Sequence, residues 1–213
     1  MAADSKPARD AVLPALTAGA AFTLFPVLRP WGDKTGSLAD TAAAFASPAW
    51  VISHVLGMAG WVALAVMTVA WCRAQGRLGL RAPWLIGIGT ALVLPYYGAE
   101  TFALNALGAA AQESMDPSVV AVEQSIRYAP VPAVMFAMGL LLLSIGAVML
   151  ARVTRGAASL PAVAAAFLIA LYLPQFFLPA PGRIAHGLLL GAVLAWWVFA
   201  QRRGEPLSSH SPE

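Results

Sequence analysis

Charge is scarce in this chain. Asp, Glu, Lys and Arg make up 11% of its 213 residues, where soluble domains carry roughly 25%. That deficit excludes an ordinary water-soluble globule, because too few polar groups remain to cover one. Cysteine is nearly absent too. The single thiol, Cys72, excludes an internal disulfide and any multi-cysteine metal site, and it reads as a packing residue. The apolar segments hold no Asp-rich diphosphate-binding motif, so no metal is expected, and the main reading calls for no other cofactor. The opening "MAADSKPARD" has mixed charges and no small-residue cleavage site, so the apolar run after it reads as a retained span and not a removable leader.

Hydrocarbon fills the sequence instead. Hydrophobic residues make up 60% of it. Six apolar segments reach the length of about 20 residues needed to cross a hydrocarbon layer of about 30 Å: 11–28, 49–72, 83–107, 131–151, 160–179 and 184–200. They predict an all-α integral membrane protein, a bundle of six transmembrane helices forming one domain over 1–204, with a flexible tail at 205–213. With six crossings, nine basic residues (Lys6, Arg9, Arg73, Arg77, Arg81, Arg152, Arg155, Arg202, Arg203) fall on one side and four (Arg29, Lys34, Arg127, Arg183) on the other. The positive-inside rule then puts both termini in the cytoplasm. The net charge of +3 thus reports topology, and no nucleic-acid partner is expected. The longer outer connections, 29–48 and 108–130, contain partly apolar runs that predict short interfacial helices over the outer end of the bundle.

Against that background the polar interior residues stand out. An ionisable group inside a span costs about 2.5–3.5 kcal/mol on insertion scales and marks a candidate functional site. Glu100, in "LPYYGAETFALN", lies roughly 10 Å from the outer end of its span, and His54 lies roughly 9 Å from the outer end of its own, at 1.5 Å per residue. Gln175 and His186 fall at comparable or shallower depth. Four helices thus bring their most polar residue to one level. Residues three or four apart share a helix face, which sets Tyr96 and Tyr97 beside Glu100, Trp50, Met58 and Trp61 beside His54, and Tyr172 beside Gln175. With Trp31, Asn105 and Phe176 from the adjoining motifs, these residues predict an aromatic-walled cavity holding a few convergent polar groups.

A carboxyl desolvated among aromatic rings is expected to stay protonated and serve as a general acid, and the same rings stabilise a cation within about 6 Å. Such a chamber suits protonation of an isoprenoid double bond or epoxide followed by cyclisation, with water excluded. Plainer readings stand beside this one. Glu100 and His54 also fit a buried pair that sets helix register. His186 also fits a headgroup-level residue, Gln175 interhelical glue, and Trp84 and Trp196 an interfacial belt. A proton-coupled or small-molecule transporter would place Glu100 and His54 along its path. A haem protein would use His54 and His186 as axial ligands.

The motifs "SHVLGMAGW", "LPYYGAETFALNALG", "YLPQFFLP" and "RIAHGLLLG" give the chain a resemblance to the membrane-bound sesquiterpenoid cyclases of drimentine-type indole alkaloid pathways. It is more distantly similar to the membrane meroterpenoid cyclases. The resemblance implies a protein of the bacterial plasma membrane, in contact with lipid, that protonates a farnesyl group carried on an indole or similar acceptor. Ring closure to a decalin and quenching would follow. It also implies two acidic residues. Only Glu100 lies in a span, so Asp33 or Asp40 in an outer connection would supply the second.

Overall fold

Proline marks the first turns of several helices here, where its missing N–H costs nothing: Pro48, Pro83 and Pro130 each open one. A computed structural model describes residues 6–77 and 81–203, so the expected tail at 205–213 lies outside the described residues. Among those residues the chain is helical, with no strand: α1 (Lys6–Leu28), α2 (Leu38–Ala46), α3 (Pro48–Ala74), α4 (Ala82–Gly98), α5 (Leu104–Glu113), α6 (Glu123–Arg127), α7 (Pro130–Val153), α8 (Ser159–Ala170) and α9 (Ala180–Arg203). Serines cap two of the starts, Ser37 Oγ accepting from the Asp40 amide and Ser47 Oγ from that of Ala49.

Among the described residues, four helices are long and apolar enough to cross a membrane, over Arg9–Leu28, Pro48–Ala74, Pro130–Val153 and Ala180–Gln201. They match four of the six expected spans. The other two are interrupted. The segment expected at 83–107 is α4, whose 17 residues rise about 26 Å, followed by a π-helical turn, Ala99–Ala103, and then α5. The segment expected at 160–179 contains only the 12-residue α8. That helix stops before Pro174, which opens a 3-10 turn, Pro174–Phe177. Large apolar side chains such as Leu13, Ile52, Val66, Ile88, Val134, Leu141, Leu189 and Phe199 stand exposed on the outside of the helices. Water would penalise such a surface; hydrocarbon would not.

Helix α1 packs along α3 and α9, α4 along α7, and α7 along α8. Glycine sets the closest of these approaches. A Cβ on Gly139 would come within 2.8 Å of the Gly89 carbonyl oxygen, and one on Gly89 within 2.7 Å of the Gly139 oxygen. Two helix backbones cannot yield there as a side chain can. Gly139→Leu is therefore expected to lower the thermal midpoint in detergent by the equivalent of about 1–3 kcal/mol, while Gly87→Ala, which faces open space, leaves it in place or raises it. Equal midpoints for both variants would show that the α4–α7 crossing does not depend on glycine.

A second, smaller core caps one end of the bundle. Phe45 and Ala42 of α2 meet Trp50, Leu104, Ala111 and Val120, drawing together α2, α5 and the Pro117–Val122 turn. Of these, α2 and the Pro117–Val122 turn lie in the connections expected to form short helices over the bundle end, whereas α5 begins inside the segment expected to span at 83–107. At the opposite end the interior is apolar, with Leu64, Met67, Ile86, Leu194 and Trp197 enclosing a void of about 30 Å³.

Candidate functional site

The regular helix fails at Glu100. Pro95 has no N–H to give, and the turn at Ala99–Ala103 widens until the Leu104 amide reaches the carbonyl five residues back, at Ala99. Such π-turns occur often at functional sites. Here the widening leaves the Glu100 carbonyl to accept from Trp50 Nε1 at 2.7 Å, while Thr101 Oγ1 donates to the Tyr97 carbonyl at 2.6 Å. Glu100 is thereby fixed from α3 as well as from its own helix.

Its carboxylate belongs to an ion cluster. Arg127, at the end of α6, donates from Nε to Glu100 Oε1 at 2.8 Å, from Nη1 to Glu123 Oε2 at 2.9 Å and from Nη2 to Asp33 Oδ2 at 3.1 Å. Arg29 grips Asp33 through two bonds of 2.9 and 2.7 Å, and Lys34 Nζ lies 3.4 Å from the same carboxylate. Burial alone would push the Asp33 carboxyl up, but Arg29, Arg127 and Lys34 outweigh it and hold the group below the usual range. At Glu123 burial wins and the carboxyl is pushed up in spite of Arg127. One guanidinium thus ties the cap (Asp33, Glu123) to the bundle (Glu100).

His54 completes the arrangement. Its Nδ1 lies 2.7 Å from the Trp50 carbonyl oxygen. A carbonyl only accepts, so Nδ1 carries a hydrogen. The other nitrogen, Nε2, is 3.3 Å from Glu100 Oε2, close enough for an ion pair although not aligned for a linear hydrogen bond. A bare Nε2 facing a bare carboxylate would set lone pair against lone pair. A proton on either atom makes the contact attractive, so the pair is placed to pass one between nitrogen and oxygen. The sequence predicts a neutral acid among aromatic rings. The structure instead sets the Glu100 carboxylate between the Arg127 guanidinium and the His54 ring.

Glu100 and Arg127 face a cavity of about 390 Å³ whose wall includes Phe22, Phe25, Trp31, Tyr96, Phe136, Tyr172 and Phe176, together with Gln175, His186, Arg29, Lys34 and Arg183. Its volume suits a small-molecule site, for which about 300–1,000 Å³ is usual. Phe136 stacks on Tyr96 with centroids 4.4 Å apart, and Tyr172 meets Phe22 and Phe176 edge to face.

Of the residues expected at the site, Trp31, Tyr96, Glu100, Tyr172, Gln175, Phe176 and His186 line the cavity. Asp33 is not on the wall but reaches Glu100 through Arg127. Others act from behind or elsewhere. His54 and Trp50 support Glu100; Trp61 is fully buried against Phe22 and Tyr172; and Met58 is only partly buried against the core. Tyr97 is buried with its hydroxyl 2.9 Å from that of Tyr172. Asn105 belongs to the cap, its Nδ2 donating to the Phe45 carbonyl at 2.7 Å. Asp40 is exposed and stands away from the cavity wall, its carboxylate accepting from Thr35 Oγ1 at 3.0 Å. The two imidazoles make different contacts. His186 gives Nε2 to the Leu168 carbonyl at 2.9 Å, and the free nitrogen of His54 faces a carboxylate.

Tyr97→Phe would leave the buried Tyr172 hydroxyl without this partner, and a loss of about 1–3 kcal/mol is expected from denaturant unfolding in detergent. Unchanged stability would mean that water or another group already serves Tyr172.

Sequence reasoning missed Phe22, Phe25 and Phe136, which read as ordinary spanning residues. It also counted Arg29, Lys34, Arg127 and Arg183 only as topological charges. A signal was present: these four are the basic residues on the side that the positive-inside rule leaves poor in cations, and all four line the cavity. Compared with protein-family models, with curated proteins and with solved structures, the chain matches none at a significant level.

Proposed function

We propose that this chain is an integral membrane terpene cyclase, which protonates an isoprenoid chain and closes it through carbocations without a metal. The observation that carries this reading is the 3.3 Å approach of Glu100 Oε2 to His54 Nε2 at the polar end of an aromatic cavity of about 390 Å³. In this reading α1, α3, α7 and α9 cross a bacterial plasma membrane, α4 and α8 fill out the bundle, both termini are cytoplasmic, and the cap covers the outer end. Glu100 Oε2 passes the proton to a terminal alkene carbon, leaving a tertiary cation. The next double bond attacks that cation, forming a C–C bond and moving the charge along the chain. Among the described residues, no cation lies over the faces of Phe22, Phe136 and Tyr172, so these rings are free to stabilise the moving charge. Loss of a proton at the end restores the Glu100–His54 pair.

A carrier fits less well, because among the described residues the interior around Leu64, Met67 and Trp197 is mostly apolar, with Thr68 the one hydroxyl lining its void. The test is turnover in deuterated buffer by membranes containing the protein, supplied with farnesylated indole and related acceptors. Cyclised product carrying one deuterium at the initiating carbon is expected. Cyclised product without that deuterium, or acyclic material alone across the substrate panel, would sink the reading.

A further inference from the structure

Four cations converge on the cavity from three separate stretches of chain, and their carboxylate partners do not offset them all. Arg29 is paired with Asp33, and Arg127 with Glu100, Glu123 and Asp33. Lys34 reaches only the Asp33 carboxylate that both arginines already use, and its side chain stays 40% exposed. Arg183 meets no carboxylate among the described residues. Its Nε donates to the Leu178 carbonyl at 3.1 Å and its Nη2 to the Phe176 carbonyl, while the guanidinium lies 5.6 Å from the centre of the Trp31 ring. Four positive groups thus stand against three carboxylates, a surplus of one before any proton on His54 is counted. The surplus is felt at Lys34, whose ammonium burial pushes down; Asp33 works against that, and repulsion from Arg127, Arg29 and Arg183 adds to it. A concentration of unmatched positive charge beside an apolar chamber calls for a ligand that is anionic at one end and greasy along the rest.

We propose that Arg183 and Lys34 bind the phosphate headgroup of an amphiphile whose chain lies among the cavity's aromatic rings. A tetrahedral phosphate offers oxygens both to the planar fork of Arg183 and to the point charge of Lys34. The identity of the chain rests on the cyclase reading; the headgroup rests on the cations and stands without catalysis. In the cyclisation described above the headgroup is retained, because the reaction forms C–H and C–C bonds and breaks no bond to the phosphate oxygen.

The experiment measures binding of farnesyl phosphate and of farnesol to the full chain in neutral maltoside detergent. Farnesyl phosphate is expected to bind at least about tenfold more tightly, the equivalent of one charge-assisted hydrogen bond, with an advantage that shrinks as salt is added. Arg183→Gln and Lys34→Gln should each reduce that advantage, with the thermal midpoint in detergent reporting an intact fold. Competition from phosphatidylglycerol in phosphatidylcholine nanodiscs would assign the phosphate to a membrane lipid; no competition would assign it to a soluble isoprenyl phosphate. Equal affinity for farnesol and farnesyl phosphate, an advantage untouched by both substitutions, or displacement by inorganic phosphate at matching concentration would overturn the proposal. The first two outcomes leave a cyclase of neutral substrates standing. Headgroup-dependent binding without any cyclised product would instead keep this site and remove the cyclase.

Discussion

Arg127→Met is expected to destabilise the protein by about 3–5 kcal/mol, the cost of stranding buried charge when one partner of an ion cluster is removed. The large effect follows from the number of acids involved. A single guanidinium, 6% exposed, engages Glu100, Glu123 and Asp33. Methionine fills similar space but neutralises none of them. Asp33 keeps Arg29 and Lys34; Glu123 loses its partner while remaining half-buried.

The loss should depend on pH with a defined sign. Burial already raises the Glu123 carboxyl above its ordinary value of 4.5 with Arg127 in place, and removing the cation raises it further. A group raised in the folded state contributes stability below its unfolded value and loses it as pH rises through the folded one. The variant should therefore recover towards the wild type as pH falls through the carboxylate range. Asp33 moves the other way. Held below its ordinary 3.8, it contributes stability above that value and loses it as the pH falls further. Thermal midpoints in detergent at a series of pH values check both signs, and a constant gap between variant and wild type would show that Arg127 does not compensate these acids.

Glu100→Gln is expected to leave a folded protein that turns over about 10²–10⁴ times more slowly, the usual contribution of a positioned general acid. The amide keeps the shape of the acid. Its oxygen can accept from Arg127 Nε, and its NH₂ can donate to His54 Nε2, since Nδ1 holds the imidazole proton against the Trp50 carbonyl. The hydrogen bonds survive and the transferable proton does not. Turnover is measured beside the thermal midpoint, so a folding defect is told apart from a chemical one. Wild-type turnover by a folded Glu100→Gln protein would remove Glu100 from the chemistry.

The depth of the site was legible because hydropathy and helical rise are local quantities. Glu100, Gln175 and His186 can be placed at one level from residue counts alone, and they do share the cavity. Phase is less dependable. Placing Asn105 on the wall requires an unbroken helix through 83–107, and the π-turn at Ala99–Ala103 rotates the residues beyond it away from that facing. Trp50 and Trp61 share a face with His54, which predicts them as wall residues, but Phe22 and Phe25 of α1 stand on the cavity wall instead. That α1 lies beside α3 is a fact of packing and not of periodicity.

Composition and the lengths of the apolar runs were enough to set the helical class and the four long apolar helices, since removing hydrocarbon from water dominates the energetics and can be counted along the chain. They were also enough to single out Glu100 as an expensive residue in need of a reason. Only the folded chain decided its partners. Arg127 and Asp33 lie 94 residues apart, and Arg127 and Glu100 lie 27 apart. Their meeting depends on how the cap closes over the bundle. Charge pairing acts through space over a few ångströms, so a linear reading that sorted the cations by membrane side could not see which acids they would hold.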